Sequence, residues 1–422
     1  MGFKLPEHTM EIRPILSTLA RHKSAAALIV VEIALTCAII CNALFMIGDR
    51  VQQINEPSGI AENELLRIQL VSSGTDDNAS ARTRTDLAAL RAIPGVKDAT
   101  STNQVPFVNS SWNSGVRLNT KQQRSTLVAT TYMADDHFLS TFGSRLIAGR
   151  DFRPDEIQDF EAVSKAAEPT AIPVAIITRN MAEKLYPGVA PAQVLGKVLY
   201  SWGDRPTRVI GVLDHLVRPS LQDGPNAREH TMVFPLRTHY NIGGNYVVRT
   251  SPERRDEVLK AAVKLLRGNG NDRIIIDDNT KPFTDLRNEF YQAPRSMAWL
   301  LGAVCVGLLL ITALGIIGLA SFWVQQRTKQ IGIRRALGAT KGQILRYFQI
   351  ENFLIAGIGI ALGMLLAFGL NQLLMSKYEL PRLPLLYLPA GALLLWLLGQ
   401  LAVLGPARRA AAVPPAIATR SA

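Results

Sequence analysis

Four apolar runs, at residues 24–48, 297–324, 353–374 and 387–404, limit what this chain can fold into. Each is long enough to cross about 30 Å of hydrocarbon, the last only just, and a backbone there must satisfy its own polar groups as a helix. Between the first and second runs lies a polar stretch, residues 49–296. The 422 residues are 48% hydrophobic and the mean hydropathy is +0.13, values that suit a membrane part joined to a folded soluble part. The expected fold is an α-helical membrane protein with four transmembrane helices. A large extracytoplasmic α+β domain is inserted between the first and second spans.

Charge sets the orientation. The net charge is +12, and the cations gather beside apolar runs rather than in a nucleic-acid motif, so an anionic membrane surface is the better partner and nucleic acid is not expected. Arg21 and Lys23 before the first run and Arg408 and Arg409 after the fourth put both termini in the cytoplasm. Four crossings with both ends inside leave the large domain outside. Residues 1–23 repeat Ile12, Ile15, Leu16 and Leu19 at helical spacing, which predicts an interfacial helix. Residues 405–422 form a cytoplasmic tail, and residues 375–386 a short external loop. Cys37, Cys41 and Cys305 all fall inside apolar runs, so no disulfide is expected in the polar domain.

Within the large domain the pattern strand, helix, strand occurs twice, at about residues 50–105 and 241–290, on either side of a more β-rich insertion at about 106–240. The two units can pair into one split β-α-β sandwich. PVAIIT from Pro173 and TRVIGVL from Thr207 are the clearest strands of the insertion.

The segment 325–352 carries six cations in its first 23 residues (Arg327, Lys329, Arg334, Arg335, Lys341, Arg346) and no acid there. Its apolar residues recur at helical spacing. Gly338 falls where a helix needs a left-handed stop, and Thr340 can cap the next helix. In the spans, Glu32 is costly in hydrocarbon and is assigned to holding helices together. Gly315 and Gly318 give the second span a thin face, and Gly359 and Gly363 form a small-xxx-small pair on the third. No phosphate-binding loop, HExxH, paired-cysteine motif or GxSxG elbow occurs, so neither a catalytic residue nor a metal site is expected.

The order of one span, a large α/β domain and three more spans resembles the MacB/FtsX-type permeases of bacterial ABC transporters. These proteins tend to read R-T-x-E-I-G-I-R-R-A-L-G-A after the second span, and here the residues run from Arg327 through Thr328, Lys329 and Gln330 to Ile331-Gly332-Ile333-Arg334-Arg335-Ala336-Leu337-Gly338-Ala339. LRAIPGV ending at Val96 and LIAGRDF ending at Phe152 resemble the family's periplasmic domain. Gln330 departs from the family's Glu. The resemblance implies no cofactor on this chain, with ATP and Mg bound by a separate ATPase dimer. It also implies a second permease copy, identical or paralogous, and allows a periplasmic adaptor and outer-membrane channel.

Location in the bacterial inner membrane follows from the same likeness, as does mechanotransmission. ATPase motion would be received at Ile331, Gly332, Arg334, Arg335, Ala336, Leu337, Gly338 and Ala339. A helix continuous from Met297 to about Leu337 would carry it outward, to extrude a peptide, drug or lipoprotein. The alternatives are an FtsX-like regulator of an extracytoplasmic enzyme such as a cell-wall hydrolase, and a passive anchored binding module.

Overall fold

In the computed structural model the described residues are 23–72, 74, 76–110, 112–166, 170–220, 229–269, 273–378 and 382–414. The expected interfacial helix at residues 1–22 and the tail beyond 414 lie outside them. The principal helices are α1 (Lys23–Asn55), α2 (Ala79–Arg91), α3 (Arg255–Gly268), α4 (Phe283–Phe290), α5 (Gln292–Gln326), α6 (Thr328–Ala336), α7 (Lys341–Tyr378) and α8 (Tyr387–Ala412). Two compact units result, residues 55–293 and the remainder.

In the first unit the two β-α-β segments interleave in one antiparallel sheet. Its order is Arg273–Ile275, Leu65–Ser72, Asn245–Thr250, Val96–Thr102, with Lys281–Pro282 also paired to Leu65–Ser72. Alternation along a strand decides what each face sees. Leu66, Ile68 and Leu70 point to α2 and α3, where they are buried with Leu87, Leu90, Val258, Ala262 and Leu266. Leu65, Arg67 and Gln69 therefore point to the opposite face. Asp86 on α2 is fixed by buried Arg273 and Tyr246 and by exposed Asn269. The insertion builds a separate seven-stranded mixed sheet in which Val174–Thr178 and Thr207–Leu213 run parallel, around a core of Ile177, Met181, Val209, Met232 and Phe234. A 3-10 turn at Pro154–Glu156, a short strand at Gln158–Asp159 and a one-turn helix at Phe160–Ser164 follow one another within the insertion.

The other unit holds α1 and α5–α8. Four of these helices, α1, α5, α7 and α8, are long and apolar enough to cross a membrane. They outrun the expected spans: α1 continues to Asn55, α8 passes through Pro406 to Ala412, and α7 joins the end of the basic segment to the third span without a break. Helix α1 is the most enclosed, with half of its most apolar window buried, and the other three pack around it. Cβ atoms placed at Gly359 and Gly363 of α7 would stand 2.9 Å from Ile33 Cβ and 2.5 Å from Cys37 Cβ, so only glycine lets these backbones approach. Thr36 and Thr312 share a hydrogen bond at 3.0 Å, and Asn42 donates to the Ala367 carbonyl at 3.2 Å. The Glu32 carboxylate faces Gly315, where a Cβ would come within 2.7 Å of it. Gly318 corrects the sequence reading. It is exposed and has no described neighbour within 4 Å of a Cβ position, because it lies about 60° around α5 from Gly315.

Candidate functional site

The basic segment turns twice. Helix α5 stops at Gln326, and Arg327 adopts φ −103° and ψ 7° before α6 begins. The expected continuous helix from Met297 to Leu337 is thus interrupted. The Arg327 side chain turns inward: one guanidinium nitrogen donates to both Glu351 oxygens at 3.0 and 2.9 Å, and the group lies 5.6 Å from the Trp323 ring centroid. Thr328 meanwhile donates its hydroxyl to the carbonyls of Val324 and Gln325.

The second turn follows the local chemistry of the sequence. Gly338 has φ 102°, its N–H donates to the Arg335 carbonyl at 3.1 Å, and the Ala339 N–H reaches back to Arg334 at 3.0 Å. This paired closure is the Schellman stop that a glycine permits. Thr340 then caps α7 reciprocally: Gln343 N–H donates to the Thr340 hydroxyl, and Thr340 N–H donates to Gln343 Oε1.

One face of this helix-turn-helix is locked. Ile331 packs with Ile344, Phe348, Ala407, Ala410 and Ala411, and Arg335 Nη1 donates to the Val413 carbonyl at 2.5 Å. Arg334 lies over the Tyr347 ring at 5.2 Å from its centroid. The other face is open. Leu337 is 83% exposed and Ile333 is 45% exposed, beside exposed Arg334, Ala336 and Gly338. Of the eight residues nominated from sequence, Ile331 and Gly332 are buried and are corrected from contacts to packing residues; Arg335 and Ala339 are half-buried. Ile333 was missed, although it lies four residues before Leu337 on the same face. Glu351 was missed as well, and its signal was available: it is the sole acid between Glu289 and Glu379. Gln330 is exposed at the edge of a cleft of about 50 Å³ beside Arg334 and Tyr347.

Residues 30–266 match the MacB-like periplasmic core domain and residues 302–415 match the FtsX-like permease C-terminal domain. The chain belongs to the MacB/FtsX-type permeases. The basic helix-turn-helix lies inside the second match, and the large α+β unit of this permease, inserted between the first two spans, is its extracytoplasmic domain.

An uncharacterized ABC transporter permease, YknZ of Bacillus subtilis (strain 168), is 24% identical over 418 residues, covering 97% of this chain and 98% of the relative. The macrolide export ATP-binding/permease protein MacB of Shewanella sp. (strain ANA-3) is 27% identical over 70% of this chain and 42% of its own length. MacB of Nitrobacter winogradskyi is 30% identical over 48% and 31% respectively. The permease thus spans less than half the length of these MacB relatives. A solved extracellular domain of a YknZ transporter from Gram-positive bacteria matches 50% of the chain and all of its own at 21% identity, with a TM-score of 0.30 that carries no argument. The protein is an ABC transporter permease of the MacB/YknZ type.

Proposed function

We propose that this permease couples a separate ATPase dimer to its extracytoplasmic domain by mechanical transmission. The observation that carries this reading is the two-sided basic segment. Its inner face is fixed by Ile331, Arg335 and the Arg327–Glu351 pair, while Ile333, Arg334 and Leu337 are exposed on the other. Exposed apolar side chains beside a guanidinium suit an interface with a soluble protein that presents an apolar pocket and carboxylates. ATP and Mg belong to that partner. Motion received on α6 crosses the Arg327 turn, and α5, one helix of 35 residues, carries it away.

Two permease copies, identical or paralogous, receive the ATPase dimer at the bacterial inner membrane. Both termini are cytoplasmic and the domain of residues 49–296 periplasmic, where an adaptor and outer-membrane channel can join. The cargo is extruded by closure of the domain rather than conducted through the spans, and peptides, drugs and lipoproteins are the candidate classes. Reconstitution of the permease with its co-purifying ATPase tests the coupling step. Leu337→Asp should insert normally and abolish permease-dependent stimulation of ATP hydrolysis. Stimulation equal to the parent's would reject the assignment.

A further inference from the structure

The face of the split sheet away from α2 and α3 opens into a cavity of about 420 Å³, bounded by the sheet, α4, residues 107–110 and Trp112. Arg67 stands in its wall, only 5% exposed. Its Nε donates to Asn245 Oδ1 at 2.8 Å, and among the described residues no carboxylate pairs with the guanidinium. Burial alone acts on its charge, drawing the pKa down to about 10. A buried, unpaired guanidinium is an expensive feature for a fold to keep, and it offers two nitrogens in the fork geometry that matches an oxyanion.

The rest of the lining agrees. Gln69 lies two residues along the same strand face, with Oε1 accepting from Asn279 at 2.7 Å, which leaves its amide donor for a ligand. Glu289 also lines the cavity, but Lys281 neutralises it at 2.8 and 3.0 Å, and Lys281 is the strand partner of Arg67. Phe107, Trp112 and Phe290 supply apolar wall. Phe107 and Asn109 both hold positive φ, 69° and 55°, strain of the kind that concentrates at ligand clamps.

We infer that this cavity is a binding site for an amphipathic carboxylate, with the carboxylate on Arg67 and Gln69 and the apolar part against Phe107, Trp112 and Phe290. A peptide C-terminus and a small aryl acid share that chemistry. The site does not depend on the transport reading, since it needs no ATPase.

Titration calorimetry on the full-length permease in detergent tests it, with N-acetyl-phenylalanine and N-acetyl-Gly-Gly-Gly-Phe as probes, each against its C-terminal amide. The acids should bind at least about tenfold more tightly than the amides, as expected for a charge-assisted bidentate contact. Binding of both acids marks a peptide terminus, and binding of the short one alone marks a small acid. Arg67→Gln should erase the preference. Asn279→Asp leaves Arg67 in place and puts a negative charge at the entrance, so it should weaken acid binding even if the first variant folds poorly. Equal affinity for acid and amide, a preference that survives Arg67→Gln, or no binding of either acid would overturn the proposal.

Discussion

Arg327 holds both oxygens of Glu351 from one guanidinium nitrogen across the turn between α5 and α6, and the two side chains are 10% and 2% exposed. The pair fastens the point where helical continuity is lost to the third turn of α7. Removing one partner of a buried pair strands the other charge, at a cost of about 3–5 kcal/mol. Glu351→Ala should therefore lower the unfolding temperature of the detergent-solubilised permease and uncouple ATPase stimulation. The double variant Arg327→Met/Glu351→Leu should recover much of the thermal stability without the coupling. Unchanged stability in Glu351→Ala would show that the pair holds nothing.

Gly338 separates backbone strain from crowding, because no described neighbour lies within 4 Å of a Cβ placed there while its φ is +102°. Gly338→Ala should cost about 1–2 kcal/mol through the left-handed conformation alone, and Gly338→Val more. Both variants should insert into membranes. ATPase stimulation should fall in the order glycine, alanine, valine. An alanine variant indistinguishable from the parent in both assays would contradict the role of the turn.

The glycines of the spans should divide. Gly363→Leu would drive a side chain into Cys37 and the Ala34 backbone, and Gly359→Leu into Ile33. Overpacking of that kind costs about 1–3 kcal/mol. Gly318→Leu, exposed on α5, should be tolerated within about 0.5 kcal/mol. Thermal unfolding of the three variants distinguishes them, and equal losses at Gly318 and Gly363 would refute the packing assignment.

The extracytoplasmic domain should lose stability on mild acidification. Burial, then Lys184 and Arg218, hold His230 below its ordinary pKa, and burial does the same at His239. A histidine depressed in the fold binds fewer protons there than in the unfolded chain. Its contribution is therefore present above about pH 6.5, the unfolded value, and is lost as pH falls toward the folded one. Asp135 is raised by burial and acts in the opposite sense at more acid pH, where its contribution disappears as pH rises through the folded value. Urea midpoints should drop between pH 7.5 and 5.5, and less so in His230→Phe/His239→Phe. A pH-independent midpoint would contradict this.

What could be read in advance depended on how local the cause was. Span-length apolar runs, the strand at Thr207 and the stop at Gly338 follow from residues close in sequence, and each left a clear mark. The partners of Arg327 and Arg335 did not, because Glu351 lies 24 residues away and the Val413 carbonyl 78. Their placement depends on how α6, α7 and α8 pack. The same limit explains Ile331 and Gly332: a motif names the segment, but only packing decides which face turns inward. Arg67 was invisible as a site because its loneliness is a property of the folded sheet face.

Helix α6 is proposed to meet a motor protein with its open face. A photo-crosslinking residue at Leu337, compared with one at Ile331, tests it in native membranes. An ATP-dependent crosslink from Leu337 to the ATPase subunit is expected, and none from Ile331. Absence of a crosslink at Leu337, with the permease inserted and the ATPase present, would contradict it.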